Sequence, residues 1–436
     1  MKNFKLLLYK ELKEYFGAKS VLLFLMLLSF FIGYSFITAV QLYSEQSIAA
    51  LNNPVYATGF EPCSGVFVPT FGGVFLLFSL FLPFVFIRSV YEEKRNNTIA
   101  LLRQMPYPSF FIIFSKTTAS LILIFCMCII LMPTLLLWSS MGGHLPVNEL
   151  LLLFSGYALY GVFIIAVSFF SAAVFNSAAN ASIGALVLII ISWIIDFGKN
   201  SPVSHIVVRL AKWSVSANLK IFEQGILSFS VIAYLGVLAL LFILLADIFL
   251  TSFGHIRYIK IIFLLVGCFL LFYLISLISL NKDLTESCKN SFPASTAAAL
   301  KKLPSFELDI YLRRQDSRFK DFENTFLKKL KLLRNDIKIN LITGQKLSEK
   351  YGLFIYKLNG KSTQTYSNSE EEILPALFKL AALKYSAVSD GDSFPGYPLV
   401  VKGTLNNVKF VYYLIIPLFL VIIYLLNFFI RKKEYS

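Results

Sequence analysis

The chain has 436 residues, 57% of them hydrophobic and 16% aromatic, and a formal net charge of +15. Its mean hydropathy of +0.71 lies outside the range of soluble globular chains and excludes a single water-exposed domain. Windows of about 20 apolar residues match a hydrocarbon layer of about 30 Å, which predicts an integral membrane protein.

The placement of charge decides what the basic excess faces. Lys2, Lys5, Lys10, Lys13 and Lys19 precede the first apolar run, Arg88, Lys94, Arg95 and Arg103 follow the second, and Arg431, Lys432 and Lys433 close the chain. That is the positive-inside pattern, and it predicts contact with membrane lipids rather than nucleic acid.

Residues 3 to 16 place Phe4, Leu7, Leu8, Leu12 and Tyr15 on one helical face, with Lys5, Lys10, Lys13 and Glu14 on the other. This spacing predicts a helix lying in the membrane interface. The run after it is too long for a cleaved leader and has no small-residue cleavage site, so it reads as an anchoring span. Spans are predicted near 20–43, 66–88, 109–138, 150–175, 181–197, 229–252, 260–280 and 410–430. Eight crossings put both termini on one side, the cytoplasm. The linker Asn176 to Asn180 is short enough to force a tight hairpin between the fourth and fifth spans. Residues 198–228 interleave Ile206, Val207, Leu210, Trp213, Leu219, Ile221 and Phe222 with Arg209, Lys212 and Lys220, the pattern of two short helices in the outer leaflet.

Composition changes after the seventh span. From Asn281 to Lys409 there are 21 Lys and Arg against 14 Asp and Glu, enough chain for a water-exposed domain with its own core. "FELDIYL", "IKINLI" and "LFIYKL" alternate as half-buried strands do. Between the first two, Phe319, Phe322, Phe326, Leu330 and Leu333 recur at helical spacing, which predicts an α/β sandwich with the phenylalanines packed on the sheet. A second helix is predicted from "SEEE", with Ser369 as cap and Glu372 reciprocating.

Chemistry-bearing patterns are few. His144, His205 and His255 show no ligand spacing, and no metal is expected. "NGKST", Asn359 to Thr363, lacks the first glycine of a phosphate loop, where Ile355 stands, so nucleotide hydrolysis is not expected of this chain. Cys126, Cys128 and Cys268 fall in apolar runs; Cys63 and Cys288 do not, and a bridge or two free thiols are the alternatives. Asp247 lies within the sixth span near its cytoplasmic end, where snorkelling toward Arg257 or Lys260 is the first reading and a transport role the second.

The segment after the second span, "YEEKRNNTIALLRQMPYPSFFIIFSK", orders a charge cluster, a capping Thr98, the apolar turn Ile99, Leu101, Leu102 and Met105, two stops at Pro106 and Pro108, and Lys116. A solvated loop needs no such order, whereas a short helix held between two spans acts as a lever.

This segment resembles the permease subunits of type-2 ABC exporters, whose loop carries an acidic pair, a basic residue, threonine, a hydrophobic pair, proline and a lysine opening the third span. Here these are Glu92, Glu93, Lys94, Arg95, Thr98, Leu101, Leu102, Pro106 and Lys116. Asn97 replaces the family's frequent glycine and shares its tolerance of unusual backbone angles. "YKELKEYF", with Lys10 and Glu11, is similar to the family's interfacial helix, and "SVSANLKIFEQGILSFSVIAY" to the segment before its last span, with Gly225 at the glycine. Leu280 to Leu303, through Asp283, Leu284, Thr285 and Thr296, resembles the start of the extracytoplasmic domain of gliding-motility-type (Gld) auxiliary proteins.

The resemblance implies a permease domain at 1–255, a seventh span at 256–281, an extracytoplasmic α/β domain at 282–409, and an eighth span with a basic cytoplasmic tail at 410–436. It implies a multi-pass protein of the bacterial inner membrane that exports a substrate. A separate ABC ATPase would bind ATP and Mg and dock on Glu92 to Pro106, so this chain would need no cofactor of its own. It also implies a second permease copy or a paired homologue. The alternative is a non-transporting scaffold of a gliding or surface machinery.

Overall fold

The computed structural model describes residues 2–98, 101, 104, 110–197, 211, 213–252, 254–278, 280–313, 316–334, 336–342, 350–358, 360–381, 394, 396–401 and 405–434. Among the described residues, eight helices are long and apolar enough to cross a membrane: Lys19–Leu51, Cys63–Arg95, Phe111–Ser140, Val147–Val174, Ala178–Asp196, Phe229–Thr251, Gly254–Ser276 and Asn406–Phe428. The predicted spans fall on these eight helices.

The first helix, α1 (Lys2–Gly17), is followed by α2 (Lys19–Asn52) after one extended residue, Ala18. At 34 residues α2 is about 51 Å long, so it projects well beyond an apolar layer. The second span enters through a π-helical turn at Cys63–Phe67 and continues as α3 (Val68–Arg95), which outlasts the prediction at its charged end. There Arg88 Nε donates to Glu92 Oε1 at 2.7 Å, an i,i+4 pair that favours one more helical turn. The third to fifth spans are α4 (Phe110–Ser140), α5 (Val147–Val174) and α6 (Ala178–Phe197). The α5–α6 hairpin is as tight as predicted, with Ser177 Oγ accepting from Asn180 N at 3.1 Å.

α5 is the axis of the bundle and packs against α3, α6 and α8 (Phe229–Thr251), the sixth span. Close approach is built in at Gly156, where a Cβ would stand 2.7 Å from Cβ of Phe222. Phe222 belongs to α7 (Val215–Glu223), a helix whose Ser214 cap accepts from Ala217 N. It realises the second short helix of the predicted amphipathic segment; Ile206, Val207, Arg209, Leu210 and Lys212 lie outside the described residues.

The seventh span, α9 (Gly254–Ser276), leans on α8 and leaves Phe263 and Phe269 exposed on its other side. The eighth span, α13, is one helix over 406–434 with a π turn at Val411–Ile415. It docks on α2, where Ser29 Oγ donates to the Tyr412 carbonyl at 2.6 Å, and buried Tyr412 donates to the Ile130 carbonyl at 3.2 Å.

Between α9 and α13 sits the α/β unit. Its sheet has the order β4 (Lys338–Leu341), β3 (Glu307–Ile310), β5 (Phe354–Leu358), β6 (Lys361–Thr365). β3 runs parallel to β4 and antiparallel to β5. The β3–β4 crossover is the helix α11 over 317–333, whose Phe319, Phe322, Phe326 and Leu330 are buried with Leu308, Ile310, Phe354 and Tyr356 of the sheet. α10 (Ala294–Lys302) and α12 (Glu370–Leu380) complete this core.

Three expectations come out differently or finer. Ser369 stands before α12, but its hydroxyl makes no capping bond; it accepts instead from the Ser367 hydroxyl. Cys63 and Cys288 are free thiols, Cys63 buried and Cys288 exposed. A two-stranded ladder that alternation did not reveal joins β1 (Ile226–Ser228) to β2 (Asn281–Asp283), each strand only three residues long.

Candidate functional site

α1 presents Leu7, Glu11 and Tyr15 on one stripe, at intervals of four residues, and all three are buried. An acid therefore sits in an apolar stripe. Its partner is Lys116 in the second turn of α4, whose Nζ donates to Glu11 Oε1 at 2.9 Å and Oε2 at 2.8 Å. The same Nζ donates to the Ser89 carbonyl of α3 at 3.1 Å and lies 3.1 Å from Glu93 Oε2. Glu93 is hydrogen-bonded through Oε1 to Lys10, which lies 3.5 Å from Glu14 and 3.6 Å from Glu11.

Glu11, Glu93 and Lys116 keep 2%, 6% and 1% of their surface exposed, which makes this a charge cluster largely removed from water. A lone buried charge would cost several kcal/mol, but two ammoniums face the two buried carboxylates here, with the third, Glu14, exposed to water, and each Lys116 proton has an acceptor. Burial pushes the Glu11 carboxyl up, opposed by the Lys116 ammonium. For Lys10, burial works against the ammonium, and the bond to Glu93 with the charges of Glu93, Glu11 and Glu14 outweighs it, so its pKa is raised. Beneath the ions, the Tyr15 hydroxyl donates to Ser89 Oγ at 3.1 Å and bonds Ser120 Oγ at 2.8 Å. α1, α3 and α4 are thereby cross-braced at one end of the bundle.

Glu11, Glu14 and Glu93 bring carboxylate oxygens within 4.8 Å of one another, the spacing of a metal cradle. Lys10 and Lys116 already occupy that space with their ammoniums, so the group fits ion pairs and not a metal ion.

The other residues singled out in the sequence take separate positions. Lys94 Nζ donates to the carbonyls of Ala173 and Phe175, both at 2.9 Å, and so closes the C-terminus of α5. Glu92 pairs with Arg88, Arg95 is exposed, and Thr98 is half-buried. Asn97 adopts φ 55°, the left-handed backbone expected of the residue standing at the glycine position. Leu101 is 62% exposed, while Leu102 and Pro106 lie outside the described residues. Asp247 is half-buried in α8; the cations expected beside it bond elsewhere as well, Arg257 to the Ser252 carbonyl at 2.8 Å and Lys260 to Ser252 Oγ at 2.9 Å.

Gly225 belongs to a second junction, at the opposite end of the bundle. It takes φ 80°, its carbonyl accepts from Leu284 N at 2.9 Å, and a Cβ on it would stand 2.3 Å from Cγ2 of Thr285. Asp283 accepts from Thr285 and Asn290; Asn290 donates to the Gln224 carbonyl at 2.7 Å; and Lys328 of α11 donates to Gln224 Oε1 at 2.6 Å. Further ties run from Glu61 to Ser287 and Lys289, and from Glu149 to Glu286 N at 3.0 Å. Along the projecting end of α2, Leu399 N and Val401 N donate to Ser47 and Ser44. The α/β unit is seated on the helices at several points and does not hang from its flanking spans alone. Thr285, buried in this junction, and Thr296, buried in α10, are the threonines the sequence marked.

Fold and site together define a helical, multi-pass membrane protein, with eight membrane-length apolar helices among the described residues. No protein-family model, no curated protein and no solved structure matches the chain.

Proposed function

We propose that this chain is the permease subunit of a type-2 ABC exporter, fused to a Gld-type auxiliary domain and driven by ATP hydrolysis in a separate chain. It resides in the bacterial inner membrane with both termini in the cytoplasm and the α/β unit outside. The observation that carries the reading is the route from an exposed turn to a buried brace. Arg95 is exposed at the end of α3 and Leu101 is exposed six residues beyond it, and Glu93, two residues from Arg95, is locked to α1 and α4 through Lys10 and Lys116.

A partner pushing on that turn moves three helices together, because the ion pairs resist separation in a medium that cannot solvate them. In this reading Arg95 and Leu101 meet the ATPase, and Glu93 transmits inside the permease. ABC ATPases work as dimers, so the complex holds two permease chains and two ATPases. Purification from the native membrane, with identification and counting of the co-purifying chains, tests this. The expected composition is two of each; an active complex with one permease chain, or with no nucleotide-hydrolysing partner, contradicts it.

A further inference from the structure

We propose that the groove between the end of α3 and the start of α6 is a binding site for an anionic phospholipid. Its phosphate would be held by Arg95 and Arg88, and one acyl chain would lie along Phe84 and Ile87. The groove has a volume of about 350 Å³, with Phe84, Ile87, Arg88 and Arg95 on one wall and Ala178 and Ser182 on the other. That size suits part of a lipid and lies within the range of small-molecule sites.

Its chemistry is graded along the membrane normal. Phe84 and Ile87 belong to the apolar part of a membrane-spanning helix, and Arg95 stands about 16 Å beyond Phe84 and about 12 Å beyond Ile87 along it, near the water. The small side chains of Ala178 and Ala179 keep the opposite wall low.

Charge selects the headgroup. Glu92 is paired with Arg88 at 2.7 Å, which leaves Arg95 exposed and without a partner among the described residues, so the rim is net positive. Basic pockets between membrane helices attract anionic headgroups at about 1 kcal/mol per cation, which is about fivefold in affinity. A soluble protein approaching from the water would reach the rim and leave the floor empty, whereas a lipid satisfies both. The groove shares Arg95 with the docking turn of the exporter reading, so the variant that separates the two is Ala179→Trp, which lies on the opposite wall and leaves that turn untouched.

The test uses the full-length protein in detergent, exchanged with equimolar dioleoylphosphatidylglycerol and dioleoylphosphatidylcholine. Native mass spectrometry reads retention, and a phosphatidylglycerol with a diazirine on its acyl chain reads position. The wild type is expected to retain phosphatidylglycerol preferentially, with label on peptides containing Phe84–Arg95 or Ala178–Ser182. Arg95→Gln should lower retention about fivefold, and Ala179→Trp, which fills the groove and spares both arginines, should remove the label from it. Equal retention of the two lipids, unchanged retention and labelling in both variants, or label confined elsewhere overturns the proposal. So does a cross-link from Ala179→Cys to a co-purifying soluble chain with no lipid label in the groove. Should Ala179→Trp fail to insert, Arg95→Gln decides in protein purified without any ATPase, where its side chain meets no other described group.

Discussion

Replacing Lys116 by methionine removes the ammonium around which α1, α3 and α4 converge. Glu11 and Glu93 would keep only Lys10 between them, with 2% and 6% of their surface in contact with water. Breaking a buried pair from one side costs about 3–5 kcal/mol, chiefly from the charge left behind. Because α1 meets the bundle through this cluster and a short apolar stripe, the loss should appear first as undocking of α1. Amide exchange of residues 2–17 in full-length protein reads this directly, and its protection should fall by about two to four orders of magnitude. Glu11→Leu combined with Lys116→Met should restore most of the loss, since the stripe of Leu7 and Tyr15 is already apolar and a packed apolar pair replaces a buried ion pair at little cost. Unchanged exchange in Lys116→Met, or a double variant worse than the two single ones added together, would refute the reasoning.

Three further outcomes follow from the geometry. Gly225→Ala forces a side chain into left-handed backbone and into Thr285, so the protein should lose about 1–2 kcal/mol from the backbone alone, and Thr285→Ser should recover the steric part; thermal unfolding of both variants in micelles checks this, and a neutral Gly225→Ala contradicts it. In the α/β unit, burial raises the Asp309 carboxyl, but the bonds from Lys357 and Asn340 outweigh it, and the Tyr351 and Arg334 bonds likewise hold Asp316 and Asp336 low. These folded-state values lie below the ordinary one, so the stability they contribute is present above about pH 4 and is lost as pH falls through the depressed values; amide exchange of residues 307–310 and 354–358, corrected for intrinsic rates, should show protection falling below about pH 4, and protection that rises on acidification would contradict the assignment. For topology, single reporter cysteines at Ser317 or Ser367 should react with an impermeant thiol reagent on intact cells while one at Asn96 stays unlabelled; labelling at Asn96 would invert the arrangement.

The spans were legible because a hydrocarbon layer imposes length and apolarity on each helix separately, a one-dimensional constraint. So was the α11 stripe, where Phe319, Phe322 and Phe326 keep helical spacing. The charge cluster was half legible. Lys116 and Glu93 stood out as ions beside apolar runs, and Glu11 carried its own signal four residues from Leu7 and from Tyr15. What the sequence did not disclose was that these three ions meet, since their separations of 82, 105 and 23 residues leave no local trace. Glu93, expected within the docking segment, is bonded internally to Lys10. The β1–β2 ladder was hidden for the same reason: three-residue strands show no alternation, and the partners Ile226 and Asp283 are 57 residues apart in the chain.

The central claim is that the turn after α3 couples nucleotide hydrolysis to the membrane helices. Its most direct test is ATP hydrolysis and substrate movement by the purified complex in lipid, comparing wild type with Leu101→Pro and Arg95→Glu. Arg95→Glu should weaken ATPase association while the permease stays inserted, and Leu101→Pro should leave hydrolysis running without transport. Wild-type association and wild-type coupling in both variants would contradict it.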